Sequence, residues 1–310
     1  MHPTLIHIGS IPIRSFGLMV LLGFILALIY AMSAARRKLQ GTGGRRQDAG
    51  SALRTPISEL TTDSQPSTLN SQPVNHQPIT PDHVFDMSLA ALFVSIAGAR
   101  ILYVLLDLNE FRGNWWEVFQ VWTGGISVHG AIVSGSLFLW WYCRRHKLSF
   151  LKFADICAPA FALGYAVGRI GCFLNGCCYG YACSLPWASR FLINERTHSL
   201  TPPSHPTQLY ATVMNLGVFL LLDRLSRLRH RDGQIFLLYL ALYCVYRFID
   251  EHFRKGATAE VFVAGLTHAQ VFSLAALPVI LHFLYRTRLG TANLIQAESS
   301  KFNESSQKMS

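Results

Sequence analysis

The stretch FGLMVLLGFILALIYAMSAA at residues 16–35 decides the fold class, because it contains no charged side chain. A helix of about 20 apolar residues crosses a hydrocarbon core of roughly 30 Å. Arg36, Arg37 and Lys38 follow directly, and no small-residue cleavage site precedes them. The stretch therefore predicts a retained transmembrane helix with a basic end, and not a cleaved signal peptide.

The composition extends this prediction to the whole chain. Apolar residues make up 51% of the 310 residues and charged residues only 14%, against about 25% charged residues in soluble domains. This excludes an ordinary soluble domain. The net charge of +10 then indicates cytoplasmic loops beside anionic lipid, with no nucleic-acid partner. The odd number of seven cysteines predicts no regular disulfide framework.

Seven apolar runs are long enough to be spans, and they predict an all-α integral membrane protein with seven transmembrane helices. The sixth run is the shortest and the most polar. The predicted spans are Phe16–Ala35, Val84–Leu106, Ile126–Cys143, Phe153–Leu174, Gln208–Leu225, Gln234–Ile249 and Val261–Leu284.

Basic side chains cluster at every second joint between these spans. The joints after spans one, three, five and seven are strongly basic, whereas the opposite joints are mixed and nearly balanced in charge. Because cytoplasmic loops carry the excess of Lys and Arg, the N-terminus is predicted outside and the C-terminus in the cytoplasm.

The chain divides into four predicted segments. Residues 1–39 form an outer N-terminal segment with the first span, and residues 82–290 form the six-helix remainder of one catalytic domain. Residues 40–81 lack Phe, Trp and Tyr and are rich in small polar residues, which predicts a disordered cytoplasmic loop. The polar tail over 291–310 is predicted to be a disordered cytoplasmic tail.

Apart from Arg224, which belongs to the basic joint at the end of span five, three arginines lie within the predicted spans, namely Arg100, Arg169 and Arg247. A guanidinium in a bundle is a functional candidate by default, and its planar fork of donors suits phosphate oxygens. An anionic substrate inside the bundle would explain all three. The alternative is a structural arginine whose side chain reaches the membrane–water interface or forms an internal ion pair. This alternative is strongest for Arg100.

Span six carries Tyr243, Arg247 and Glu251 at intervals of four residues. These side chains share one helical face, so Arg247 and Glu251 can form an ion pair. Spacing alone does not separate a structural pair from a functional one.

His129 opens span three and can accept a proton near neutral pH, as a thiol nucleophile would require. The alternative is a histidine that only donates to a backbone carbonyl. Small residues at four-residue intervals, Gly130 with Ser134 and Gly164 with Gly168, predict close packing of spans three and four. Such packing would bring His129 near Arg169.

The segment from Gly168 to Gly180 is too rich in glycine for an ordinary helix end, so it predicts a helix that breaks into a loop lining a cavity. Its cysteines and Cys183 follow the spacing C-x4-C-C-x4-C, which matches no zinc pattern. A disulfide or packed thiols is the preferred interpretation, and no metal is predicted.

Four sequence elements follow one another along the predicted spans. They are G-G-x-S-x-H-G at Gly124–Gly130, G-R-x-G-x-F-x-N-G at Gly168–Gly176, H-P-x-Q-L-Y at His205–Tyr210 and Y-x-x-x-R-x-x-x-E at Tyr243–Glu251. In this order they resemble the prolipoprotein diacylglyceryl transferases, and the resemblance covers nearly everything outside the loop and the tail.

The resemblance implies the first step of bacterial lipoprotein maturation. A diacylglyceryl group would pass from phosphatidylglycerol to the thiol of the lipobox cysteine of a preprolipoprotein, releasing glycerol 1-phosphate. The site would face the periplasmic side of the inner membrane, and no cofactor is expected. In this interpretation the catalytic residues are His129, Arg169 and Arg247, and the substrate-binding residues are Arg100, Arg169, Asn175, Gly176, Gly180, Tyr243, Arg247 and Glu251.

The chain departs from the family pattern at several positions. Phe16 stands near a common tyrosine, Cys172 replaces a common asparagine and Cys177 replaces a common acidic residue, while Ala131 replaces the second glycine of H-G-G. These changes leave two alternatives open. One is an altered paralogue that binds or moves an anionic lipid, and the other is a redox protein built on the cysteines.

Overall fold

A computed structural model describes most of the chain. The described residues are 4–8, 11–52, 76–111, 113–120, 125, 127–194, 199–228, 230–255, 261–263 and 265–307.

The described residues are mainly helical, which confirms the predicted all-α class. They form seven α-helices and two short 3-10 turns, Leu108–Phe111 and Trp115–Phe119. The helices are α1 Ser15–Ala52, α2 Pro81–Leu106, α3 Val128–Arg145, α4 Phe150–Asn175, α5 Thr207–Ser226, α6 Gln234–Phe253 and α7 His268–Gln307.

Three small antiparallel hairpins accompany the helices. They are β1 Thr4–Ile8 with β2 Ile11–Arg14, β3 Leu192–Asn194 with β4 Ser199–Leu200, and β5 Val261–Val263 with β6 Leu266–Thr267. The last hairpin replaces the start of the predicted seventh span, Val261–Leu284. That helix begins only at His268, because the preceding residues pair as strands.

Five of these helices are long and apolar enough to cross a membrane, namely Ser15–Gln40 of α1, α2, α4, α5 and His268–Thr287 of α7. Large apolar side chains on them point outward; Ile29 is 59% exposed and Phe93 is 65% exposed. A lipid surface suits such side chains, whereas water would not. Helices α3 and α6 coincide with the two other predicted spans, so seven spans stay a prediction.

Two of the helices extend into segments that were predicted to be disordered. Helix α1 includes residues 40–52, and helix α7 includes residues 291–307, so that prediction is at odds with the structure there. A polar composition argues against a buried core, but a helix satisfies its own backbone hydrogen bonds without one. Residues 53–75 of the predicted loop lie outside the described residues.

The chain forms two compact units, one of residues 1–30 with 154–310 and one of residues 31–153. Each is described by itself. In the unit of residues 31–153, α2 packs against α3 through small residues. A Cβ added at Gly130 would clash with the Gly98 carbonyl oxygen and Leu102, so glycine is required for this approach.

The predicted partners of these small-residue faces are therefore wrong. The Gly130 face of α3 meets α2, and in the other unit Gly164 of α4 lies against Gly23 of α1. A stripe of small residues shows that some helix packs closely there, but it does not identify that helix.

In the unit of residues 1–30 and 154–310, Asp155 of α4 fixes the start of α6. Its carboxylate oxygens accept hydrogen bonds from the backbone N–H groups of Gly233 at 2.7 Å and Phe236 at 2.9 Å. These are the donors that a helix N-terminus leaves without partners, and the carboxylate also matches the positive end of the helix dipole. Asp155 thus sets the position of α6 relative to α4.

We expect Asp155→Ala to lower the free energy of unfolding by roughly 2–4 kcal/mol, because two buried N–H groups lose their acceptor. Thermal unfolding in detergent measures this effect. Asp232→Ala, at an exposed position of the same turn, is the control. Equal melting temperatures for the two variants would contradict the role given to Asp155.

Candidate functional site

Arg169 lies in the second half of α4 and is held by Tyr165, one helical turn earlier. Its Nε donates to the Tyr165 hydroxyl oxygen at 2.9 Å, and its Nη2 donates to the same oxygen. The guanidinium carbon also lies 4.9 Å from the centre of the Tyr165 ring. The Tyr165 hydroxyl lies 3.3 Å from that of Tyr246 on α6, so the tyrosines join the two helices.

Arg247 lies on α6 and is paired with carboxylates of its own helix. Its Nη2 lies 2.8 Å from Glu251 Oε2 and its Nη1 lies 3.4 Å from Asp250 Oδ2. The Arg247–Glu251 pair that the four-residue spacing allowed is confirmed. Tyr243 is on the same side, with its ring centre 6.2 Å from that of Tyr165.

The two arginines therefore differ in charge balance. Arg247 is neutralised by Asp250 and Glu251, whose side chains are almost completely buried. Within the part of the chain that the structure describes, no carboxylate forms an ion pair with Arg169, whose hydrogen-bond partner is a neutral phenol. Asp250 and the Cys178 thiol lie within electrostatic reach of Arg169. Arg169 therefore differs from Arg247 in that it makes no direct ion pair with a described carboxylate.

Helix α4 ends at Asn175, and a loop follows it as predicted. Gly176 and Cys178 have positive φ angles of 74° and 64°, which turn the chain sharply. Gly180 cannot be replaced without movement, because a Cβ there would clash with the Phe253 carbonyl oxygen and the His205 side chain. Two of the predicted site residues, Gly176 and Gly180, therefore shape the loop backbone.

The start of α5 holds this loop in place. Buried Gln208 donates from Nε2 to the Cys177 carbonyl oxygen at 2.6 Å, and Thr207 Oγ1 donates to the Cys178 carbonyl oxygen at 2.6 Å. The H-P-x-Q-L-Y element contains both residues, but neither was among the predicted site residues. A buried glutamine in an apolar helix was the signal that could have found this clamp.

Three of the cysteines meet at the end of α4. The sulfur atoms of Cys172, Cys177 and Cys178 lie within 4.8 Å of one another, and all three are free thiols. Hydrogen bonding with the Cys172 and Cys177 thiols, together with the nearby Arg254 and Arg169, lowers the pKa of the Cys178 thiol. The Cys177 thiol donates to the Cys172 carbonyl oxygen at 3.7 Å. Of the two arrangements expected from the sequence, the structure shows packed thiols.

A cavity of about 320 Å³ opens beside the C-terminal half of α6. Its wall is largely apolar, and His205 and Asp250 add polar groups to it. His205 Nδ1 lies 3.2 Å from the Tyr210 hydroxyl, to which Trp187 Nε1 donates at 2.8 Å. The lining residues are Leu185, Trp187, His205, Tyr210, Met214, Ile249, Asp250 and Phe253.

Arg100 and His129 belong to the other unit. Arg100 is 6% exposed, and its guanidinium donates to the backbone carbonyl oxygens of Glu117, Val118 and Gly125. These contacts tie Arg100 to backbone carbonyls of its own unit, an arrangement that differs from both alternatives given for it, the side chain at the membrane interface and the internal ion pair. His129 is exposed in the first turn of α3, and Gly124 of its motif lies outside the described residues.

Comparison with known proteins identifies the family. A family model described as prolipoprotein diacylglyceryl transferase matches residues 67–286. The chain belongs to this family. It is therefore a transferase, and its apolar helices make it a multi-pass membrane protein of the prolipoprotein diacylglyceryl transferase family.

Individual members of the family align with most of the chain. A protein of Gloeobacter violaceus named "phosphatidylglycerol--prolipoprotein diacylglyceryl transferase" is 39% identical over 209 residues, 64% of this chain and 75% of that protein. A protein of the same name from Clostridium tetani is 34% identical over 62% of this chain and 76% of its own length. One from Clostridium botulinum is 27% identical over 92% of this chain and 96% of its own length.

Two of the departures from the prolipoprotein diacylglyceryl transferase pattern fall within one cluster, because Cys172 and Cys177 both belong to the group of three thiols. The third departure, Phe16, lies at the start of α1 beside Gly171 of α4, where an added Cβ would lie 3.3 Å from the Phe16 carbonyl oxygen. Three of the four departures therefore border the turn of α4 that follows Arg169, whereas Ala131 lies in α3 of the other unit.

We expect Gln208→Met to loosen the loop without changing the volume of the side chain greatly. The Cys177 carbonyl would lose its donor at a cost of roughly 1–2 kcal/mol, so the opened loop would be about tenfold more populated. Alkylation of Cys177, followed by mass spectrometry, should accelerate in proportion. Ser226→Ala, which removes only a hydrogen bond within the last turn of the same helix, should leave the rate unchanged.

Proposed function

We propose that this chain transfers a diacylglyceryl group from phosphatidylglycerol to the thiol of the lipobox cysteine of a preprolipoprotein, releasing glycerol 1-phosphate. The observation that carries the proposal is the half-buried guanidinium of Arg169, which makes no direct ion pair with a described carboxylate and lies among membrane-type helices. Family membership supports it, since relatives aligned over most of their length carry this activity in their names.

The two arginines have different tasks in this proposal. Arg169 binds the phosphate of phosphatidylglycerol, for which a guanidinium fork supplies charge-assisted hydrogen bonds. Arg247 is held by Glu251 and Asp250 and adds donors at the edge of the same site. The acceptor thiolate attacks the carbon of the diacylglyceryl unit that is bonded to the phosphate oxygen, and a thioether bond forms. The carbon–oxygen bond breaks, and the arginines stabilise the negative charge on the departing phosphate.

Two buried oxygen atoms of the same unit suit the glycerol part of the headgroup. Buried Glu251 Oε1 and Gln208 Oε1 have no hydrogen-bond partner among the described residues. A buried acceptor without a donor is costly, and the two hydroxyls of the headgroup glycerol are donors. We assign these oxygens to headgroup recognition, with Tyr243 supporting Arg247 and with Asn175, Gly176 and Gly180 shaping the loop.

The thiol proton needs an acceptor, and two histidines are candidates. His129 is the candidate from the sequence and is exposed at the start of α3. His205 is the candidate from the structure, because it lines the cavity that Asp250 also lines. We assign His129 as the proton acceptor because it belongs to the family motif. Replacement of each histidine in turn tests this assignment.

The proposal includes the membrane arrangement. Seven spans, with the N-terminus outside and the C-terminus in the cytoplasm, would place the loop after α4 at the periplasmic face of the bacterial inner membrane. A preprolipoprotein emerging on that face would meet the site there. The alternation of basic and mixed joints supports this orientation.

One alternative has its own supporting observation. The replacement of common family residues by Cys172 and Cys177, next to Arg169, fits an altered paralogue that binds or moves an anionic lipid without chemistry. Both arginines and the histidine are retained, so we favour the active transferase.

We expect Arg169→Ala to lower the transfer rate roughly 10²–10³-fold, because the departing phosphate loses its charged donor. The assay uses purified protein, phosphatidylglycerol and a lipobox peptide, and it follows both peptide lipidation and released glycerol phosphate. Arg190→Ala, at an exposed position, is the matched control. His129→Ala and His205→Ala in the same assay identify the proton acceptor.

The outcomes separate the two functions. Loss of transfer in Arg169→Ala with retention in Arg190→Ala supports the transferase. A folded wild-type protein that binds phosphatidylglycerol vesicles but transfers nothing would make the lipid-binding paralogue the correct assignment.

We expect a reporter that is active only in the periplasm to be silent when fused after Arg37 and active when fused after Arg190. The basic residues after span one keep Arg37 in the cytoplasm. Four predicted spans precede Arg190, so Arg190 lies on the same side as the N-terminus, in the periplasm. Signals of the same kind at both positions would contradict the proposed orientation.

A further inference from the structure

The three thiols at the end of α4 have the composition of a metal site. Cys172, Cys177 and Cys178 each offer one sulfur, and these sulfurs lie within 4.8 Å of one another. Sulfur atoms that share one tetrahedral zinc ion at about 2.3 Å lie roughly 3.8 Å apart. A closure of about 1 Å or less therefore converts the thiol cluster into a three-thiolate site.

The spacing of the cysteines in the sequence does not predict this arrangement, because the fold brings only three of the four together. Cys183 completes the spacing pattern but does not belong to the cluster. The other three meet because the chain turns back at Gly176 and Cys178, both of which have positive φ angles. The Cys177 backbone N–H also donates to the Cys172 carbonyl oxygen at 3.2 Å, which holds the two residues together across the turn.

The backbone around the cysteines is fixed from outside the cluster. Gln208 and Thr207 bind the carbonyl oxygens of Cys177 and Cys178, and the Lys255 N–H donates to the Tyr179 carbonyl oxygen at 3.3 Å. A site whose ligands are held in place loses little conformational entropy when a metal binds. The fixed backbone thus favours a preformed site.

The surroundings suit the charge of three thiolates and an entering ion. Arg169 and Arg254 lie within electrostatic reach of Cys178, so a net negative site would be partly balanced. The three cysteines are half-buried, which leaves an entry path from solvent. Three thiolates match a thiophilic cation such as Zn²⁺, whereas Mg²⁺ and Ca²⁺ prefer oxygen ligands.

We propose that Cys172, Cys177 and Cys178 bind one Zn²⁺ ion as a three-thiolate site, with water in the fourth position. The bound ion ties the end of α4 to the loop that follows and fixes the turn after Arg169. The three ligands release their protons to solvent when the ion binds, and no electron is transferred. This proposal does not depend on the transferase activity.

The test uses the full chain in detergent, purified with a tag that contains no histidines and reduced before metal is added. After Zn²⁺ is added and excess ion removed, mass spectrometry of the metal content should give about one zinc per chain. Loading with Co²⁺ should produce the intense near-ultraviolet absorption of cobalt–thiolate bonds. Both signals should disappear in the variant with Cys172→Ser, Cys177→Ser and Cys178→Ser.

Cys183→Ser is the matched control, because this half-buried cysteine lies near the cluster in sequence but outside it in space. It should retain the zinc and the cobalt absorption. Gel filtration and thermal unfolding without metal establish that the triple variant is folded, and a single Cys172→Ser variant replaces it if it is not.

Two results would overturn the proposal. One is a folded, fully reduced wild-type protein that retains no zinc. The other is equal zinc content in the wild-type and the cysteine variants. A disulfide within the cluster, detected by intact mass before reduction, together with no metal uptake after reduction, would show a redox pair in place of a metal site. A failure of the transfer assay would leave this test unaffected.

Discussion

The structure around the candidate site depends on one constraint, which is the solvation of a guanidinium among apolar helices. A charged side chain in such surroundings must find donors, acceptors or counterions within the protein. Arg247 meets this requirement with two carboxylates, whereas Arg169 meets it with the hydroxyl and ring of Tyr165. A phenol solvates a cation without forming an ion pair, so no carboxylate occupies the direct contact position at the guanidinium of Arg169 within the described residues.

The same constraint explains why α4 and α6 must be positioned accurately. Tyr165 reaches Tyr246 across the helix interface, so the environment of Arg169 depends on the register of two helices. Asp155 sets that register near the start of both helices by capping the first turn of α6. A carboxylate near the helix starts and a phenol pair near the helix middles therefore act together on the geometry of one guanidinium.

The sequence predicted the features that depend on local pattern. The apolar run at 16–35 predicted a helix of spanning length, and the four-residue spacing of Arg247 and Glu251 predicted an ion pair, because both follow from helix geometry alone. Contacts between distant residues were missed: Tyr165 is 81 residues from Tyr246, and Gln208 is 31 residues from Cys177. Small residues indicated close packing of α3 but not its partner. The polar composition of residues 40–52 predicted disorder, but composition does not exclude a helix, because a helix satisfies its own backbone hydrogen bonds.

The backbone around Gly180 joins three segments that are far apart in the chain. Gly180 N–H donates to the His205 carbonyl oxygen, Tyr181 N–H donates to the Phe253 carbonyl oxygen, and Lys255 N–H donates to the Tyr179 carbonyl oxygen. During synthesis the cysteine loop emerges long before residues 253–255 exist. The loop therefore lacks these backbone hydrogen bonds during part of synthesis. The site is complete only after the end of α6 has been synthesised and has packed against the loop.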